Sequence, residues 1–252
     1  MKKSFRTHFD NSPEYYEWAA GTKVNKPFHV FASRALFAAM SVKNGPTITD
    51  IPEAVKALTT PAVVASTHRS WLDIPYFVQA TERAGLRFAR PVAKDSLFGN
   101  PVVAWTFHQW GAVAVDRENP NFVGINNTFG AFLKAGNTVN VFTEGTRVKT
   151  ETRIVRPPKR TAHILALRHG LPIVPLAIAG VAVDDERNWF GRGKQNSVVA
   201  VFGEPMHMPP LPEGDTRSQE RFILSQARER AAELHDVQQQ LLNTAYEIRE
   251  SA

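Results

Sequence analysis

A chain of 252 residues, 43% hydrophobic and 21% charged, has an ordinary globular composition, which excludes a fibrous or an intrinsically disordered class. The absence of cysteine rules out disulfides, thiolate metal sites and a cysteine nucleophile, and suits a reducing compartment such as the cytoplasm. A formal charge of +6 points to an anionic partner: nucleic acid, a membrane surface or a phosphorylated small molecule.

The opening residues, MKKSFRTHFDNSPEYYEW, are basic but lack the apolar core of a secretory signal. Residues 27–42 (PFHVFASRALFAAMSV) are the most apolar early stretch. They contain His29 and Arg34 and fall short of the ~20 apolar residues that a spanning helix needs. Tyr15, Tyr16 and Trp18 precede this stretch, and Lys23, Lys26 and Lys43 flank it, so residues 1–45 predict a helical segment lying on an anionic membrane surface. The alternative is that 27–42 is a core-facing helix.

From residue 61 the pattern alternates. Apolar runs predict strands at 61–66, 86–93, 111–115, 138–142, 173–179 and 197–202, with helices at 71–83, 96–109, 121–135 and 161–169. Such alternation predicts an α/β fold with a mostly parallel central sheet and helices on its faces. The loop at 184–197 is rich in Asp, Arg, Asn and Gly and reads as exposed, and residues 217–250 predict a long charged C-terminal helix or helix pair. We expect one domain over 1–252: a segment at 1–45, an α/β core at 60–205 and the C-terminal helix.

In a parallel sheet the reactive groups gather at the carboxyl ends of strands. His68 and Asp73, in STHRSWLD at 66–73, straddle the turn from the first buried strand into the next helix. A carboxylate that accepts from one imidazole nitrogen leaves the other as a base. The same letters permit a plainer reading, because Ser70 and Asp73 also form a helix capping box. A second strand-end stretch, VFTEGTRVK at 141–149, carries Gly145, suited to close backbone approach, and Arg147, whose planar fork suits phosphate or carboxylate. Glu144 reads as a holder of a neighbouring arginine or of the loop, or as part of a solvated turn. The run KTETRIVRPPKR at 149–160 is either a solvated loop or a contact for anionic groups. The other histidines (His8, His29, His108, His163, His169, His207 and His235) show no metal-ligand spacing, and no cofactor is expected.

Taken in order, these stretches resemble the glycerolipid acyltransferase family. Its H-x4-D block matches His68 to Asp73, its G-x5-R block Gly111 to Arg117, its F-P-E-G-T-R block Phe142 to Arg147, and its V-P segment IVPLAI at 173–178. The family's lysine segment resembles VAKDSLFGN around Lys94. Thr67 stands where the family usually has Asn, Thr143 where it has Pro, Val148 where it has Ser, and Thr161 where Gly is common.

The resemblance implies transfer of a fatty acyl group from acyl-CoA or acyl carrier protein to a hydroxyl of lysophosphatidic acid, or of a related lysophospholipid or glycolipid. His68 would be the base, oriented by Asp73. Lys94, Arg117, Glu144, Gly145, Thr146 and Arg147 would bind substrate, and the enzyme would sit peripherally on the cytoplasmic face of a membrane. With no cysteine and no G-x-S-x-G elbow, direct attack is expected rather than an acyl-enzyme, with backbone N–H groups near His68 or Gly145 serving the oxyanion. A basic nucleic-acid-binding protein is the rival class, but no recognised nucleic-acid motif supports it.

Overall fold

The computed structural model describes residues 9–21, 31, 35, 47–70, 73–86, 90, 92–109, 111–116, 118–148, 152–181 and 197–252. Five strands among these form one sheet in the order β1 (Thr47–Asp50), β7 (Val198–Phe202), β6 (Ile173–Ala179), β2 (Val63–Ser66), β5 (Val139–Phe142). All neighbours are parallel except the antiparallel pair β6 and β7. A second ladder, β3 (Val92–Lys94) parallel to β4 (Val113–Val115) with the helix α4 (Pro101–Gln109) between them in the chain, joins the β5 edge through a parallel bridge between Arg90 and Val139. The mostly parallel sheet expected from the alternation is therefore present. β1 and a short helix α2 (Glu53–Lys56) had no signal in the sequence pattern.

Side chains alternate across the strands, so each face of the sheet meets a different layer. Val64, Val174, Leu176, Ile178, Val198 and Ala200 point to one side, where α3 (Asp73–Arg83) packs Tyr76, Phe77 and Ala80 on them. Val63, Ala65, Val139, Val141 and Ile173 face the other, against α5 (Phe122–Lys134) and α6 (Thr161–His169). On that side, farther along, Ala177, Ala179, Val199 and Val201 meet Leu242 and Ala245 of α8 (Ala231–Ser251).

Of the single helix or helix pair expected at the C-terminus the structure has the pair, α7 (Thr216–Glu229) and α8, with a turn at Arg230. The turn lets α7 lie against α6 while α8 crosses onto β6 and β7. Tyr15 and Tyr16 are core residues rather than membrane-facing ones. They sit on α1 (Pro13–Ala20), capped by the Ser12 hydroxyl, and both are buried. The Tyr15 hydroxyl accepts from the Ala114 N–H at 3.0 Å, and burial raises its pKa. Burial also pushes the Tyr16 phenol up to about 12. Tyr16 lies so close to α5 that a Cβ on Gly124 would stand 2.4 Å from its ring, so only glycine fits there.

The apolar stretch 27–42 lies outside the described residues except for Phe31 and Ala35, both exposed, and so do Lys23, Lys26, Lys43 and the loop 182–196. Among the described residues no helix is long and apolar enough to cross a membrane.

Candidate active site

The site grows from two adjacent strand ends. Ser66 of β2 pairs with Phe142 of β5, and the ladder runs on for one more bond as the Thr143 N–H donates to the Ser66 carbonyl at 3.0 Å. On its other side Thr67 is sewn to β6: its N–H donates to Leu176 O at 3.1 Å and its hydroxyl accepts from the Ile178 N–H at 3.2 Å. His68 therefore leaves the sheet from a fixed point.

His68 Nδ1 stands 2.9 Å from Asp73 Oδ2. An ionised carboxylate can only accept, so Nδ1 carries the proton and Nε2 is the nitrogen that can take one from a substrate. The ring stacks on Phe142, with centroids 4.1 Å apart, which fixes its plane. Asp73 also caps its helix: the same Oδ2 accepts from the N–H groups of Arg69 at 2.5 Å and Ser70 at 2.7 Å. The two readings of Asp73, cap and imidazole partner, are thus both satisfied by one oxygen.

Glu144 is not part of a solvated turn. It is buried, with Oε1 accepting from the His68 N–H at 3.0 Å and Oε2 facing the Arg156 N–H at 3.4 Å. Burial raises its pKa, opposed first by the His68 N–H and then by the nearby Arg69 guanidinium. Arg69 Nε is 4.0 Å from Oε1, and its other nitrogens donate to the carbonyls of Thr152 at 2.5 Å and Ile154 at 2.8 Å. Arg69 thus ties the basic strap 152–156 to the turn that bears His68. No sequence rule singled it out, although a buried arginine beside a strand-end histidine is itself unusual.

The remaining expected residues fall as follows. Gly145 has φ +73°, the left-handed backbone that favours glycine at this turn, with the Lys159 side chain packed beside it. Thr146 is exposed, with its hydroxyl 3.5 Å from Arg156 Nη1, and Arg147 is half-buried on the same loop. The loop closes back on the histidine, since Val148 N–H donates to His68 O at 2.9 Å. Lys94 ends β3, exposed, at the same carboxyl edge but two strands from His68 in the joined order β2, β5, β3. Arg117 lies outside the described residues. The N–H groups of His68, Arg69, Ser70, Gly145 and Val148 are already committed within the protein, so they do not serve as the oxyanion donors expected near those loops. Among the described residues no cluster of three or more His, Asp or Glu gathers that could hold a metal ion.

A family model described as Acyltransferase matches residues 46–179, over half of the chain, and spans every element of this site up to β6. The chain belongs to the acyltransferase family. The chain is 30% identical over 161 residues, 63% of its length, to a chloroplastic 1-acyl-sn-glycerol-3-phosphate acyltransferase of Brassica napus. It is 26% identical over 73% of its length to a chloroplastic enzyme of the same name from Arabidopsis thaliana. A third relative, the 1-acyl-sn-glycerol-3-phosphate acyltransferase of Streptococcus pneumoniae, is 27% identical over 118 residues, 47% of the chain. These matches span 44%, 48% and 41% of the relatives' own lengths. The fold is shared with the crystal structure of the 1-acyl-sn-glycerophosphate acyltransferase from Thermotoga maritima, at a TM-score of 0.51 and 18% identity over 88% of this chain and 94% of that one.

Proposed function

We propose that the protein transfers a fatty acyl group from an acyl thioester, acyl-CoA or acyl carrier protein, to the hydroxyl of lysophosphatidic acid. The observation that carries this is the His68–Asp73 pair, 2.9 Å apart at the carboxyl end of β2, facing the loop of Arg147 at the end of adjacent β5. The relatives' names supply the substrate class.

His68 Nε2 takes the acceptor's hydroxyl proton as that oxygen attacks the thioester carbonyl, while Asp73 holds Nδ1 protonated and balances the imidazolium. The tetrahedral intermediate then collapses, the C–S bond breaks, and the thiolate leaves with the proton returned from His68. No acyl-enzyme is needed, and the chain has no cysteine to form one through a thiol. Arg147 binds the acceptor phosphate, with Lys94 and Arg117 in support.

The substrates are lipids, and we place the protein peripherally on an anionic membrane. The strap beside the site supports this, with Ile154 67% exposed and Arg156, Lys159 and Arg160 around it. Incubating the chain with one acyl-CoA and a panel of acceptors (lysophosphatidate, lysophospholipids without a terminal phosphate, glycolipids) tests the reaction. Turnover strongest with lysophosphatidate is expected, and equal rates on unphosphorylated acceptors refute the acceptor. Flotation with anionic vesicles should fail at high salt and weaken in Ile154→Asp; salt-independent flotation counts against the strap.

A further inference from the structure

We infer that α8 belongs to the catalytic end of the molecule, and that Gln238 is a positioning residue for the loop that carries Glu144, Gly145 and Arg147. The inference rests on the acyl-transfer reading of the His68 site.

The helix buries Leu234, Gln238, Leu242 and Ala245, a stripe at helical spacing that is apolar except for the glutamine. A primary amide at such a place is tolerated when its two ends find partners. Here both do. Gln238 Nε2 donates to the Ala65 carbonyl at 3.0 Å, and Oε1 accepts from the Thr143 hydroxyl at 3.0 Å. Ala65 lies on β2, three residues before His68, and Thr143 follows the end of β5 and directly precedes Glu144, so one side chain links β2 to the start of the loop.

Thr143 has each of its polar groups engaged. Its hydroxyl also approaches Ser66 O at 3.2 Å, its N–H donates to the same carbonyl at 3.0 Å, and its own carbonyl accepts from the Lys159 N–H at 2.6 Å.

The same turn of α8 also holds the far side of the loop. Gln239 accepts from the Val155 N–H at 2.9 Å and donates to Arg153 O at 2.6 Å, while His235 Nε2 donates to Val155 O at 2.9 Å. Residues 143 and 153–155 are therefore anchored to α8 on either side of the loop. Glu144, which holds His68, sits inside those anchors.

The test compares Gln238→Met, Thr143→Val and the double variant in the full chain, assayed with acyl-CoA and lysophosphatidate. Each single change should lower kcat about tenfold to a hundredfold through misplacement of the loop and raise KM for lysophosphatidate by less than Arg147→Ala does, with KM for acyl-CoA within about twofold. The double variant should be no slower than the slower single one, because both changes break one contact. Thr143→Val keeps the side-chain shape and carries the test should Gln238→Met fold poorly. Amide hydrogen exchange supplies a readout independent of turnover: protection should fall at Thr143, Gly145 and Val148 while Val64 and Val199 stay protected. Unchanged kcat, multiplying losses, or exchange that rises across the whole sheet overturns the inference. If the unaltered chain transfers no acyl group, the acyl-transfer reading fails by itself, and the exchange pattern alone upholds or overturns the role of Gln238.

Discussion

Asp73→Asn separates the chemistry of the site from its folding. Asp73 Oδ2 accepts three hydrogen bonds, from His68 Nδ1, the Arg69 N–H and the Ser70 N–H, at 2.9, 2.5 and 2.7 Å, and the residue is fully buried. An asparagine oxygen can occupy the same point and accept the same donors, but without charge. Charge-assisted bonds contribute about 1.5–3 kcal/mol against about 1 for neutral ones, so weakening all three should remove roughly 2–4 kcal/mol of stability. A domain of ordinary stability, about 5–15 kcal/mol, stays folded after that loss. The effect on turnover should be separate and larger: without the carboxylate the imidazolium is unsupported and its tautomer unfixed, and kcat should fall by about 10²–10⁴. Urea unfolding measures the first quantity, and thiol release from acyl-CoA, followed well below the melting temperature, measures the second. In a His68→Ala background the same change should cost stability but almost no further activity, since Asp73 acts through His68. A variant that loses the expected stability yet keeps kcat within about threefold of the original would show that Asp73 is a helix cap and nothing more.

Arg147→Ala should raise KM for lysophosphatidate about 10- to 100-fold and spare unphosphorylated acceptors, and Arg147→Lys should recover part of the loss because the charge remains but the fork does not. Arg69→Met frees the carbonyls of Thr152 and Ile154 and strips Glu144 of its nearest cation, so roughly 2–4 kcal/mol should disappear from urea stability and residues 152–156 should become the first site of proteolysis. Unchanged cleavage at the strap would refute that clamp. Burial, first among the causes, holds His108 and His163 down to about 4 from an ordinary 6.5. Their folded pKa values lie below the unfolded ones, so the unfolded chain binds more protons in that window and stability is lost as pH falls from about 6.5 toward 4, by up to about 3 kcal/mol for each residue. His163→Gln should flatten the urea midpoint between pH 7 and 4.5, and an unaltered slope would rule His163 out.

The parts of the fold that were legible are those whose signal is local. β2 and β6 are buried along their whole lengths and read as short apolar runs, and His68 and Asp73 meet across a single strand-to-helix turn. Each can be recognised within a window of ten residues. Glu144 could not, because its burial depends on β5 lying beside β2 in the register that opposes Ser66 to Phe142. The tyrosines of PEYYEW looked suited to a membrane surface, as aromatics among carboxylates can. What places them inside is a partner 99 residues away at Ala114. The break at Arg230 has no glycine or proline to announce it, and follows from two docking surfaces, α6 for α7 and the β6–β7 face for α8. Gln238 was hidden for the same reason, one amide in a helix of many polar side chains.

These long-range contacts converge on one requirement, that β2 and β5 end together. Parallel neighbours lie about 4.8 Å apart, so the histidine at the end of one and the arginine on the loop leaving the other can face a single ligand only while the register holds. A slip of one residue would turn His68 or the Glu144 loop to the opposite face of the sheet. Three contacts oppose that slip: the buried Ser66 hydroxyl donates to Asn140 Oδ1 at 2.8 Å across the strands, Thr143 adds the last rung of the ladder, and Gln238 bonds Ala65 on one strand and Thr143 beyond the other. None of these groups need touch a substrate. They keep the carboxylate of Glu144 against the N–H of His68, and so hold the turn that bears His68 and the loop that bears Arg147 in fixed places.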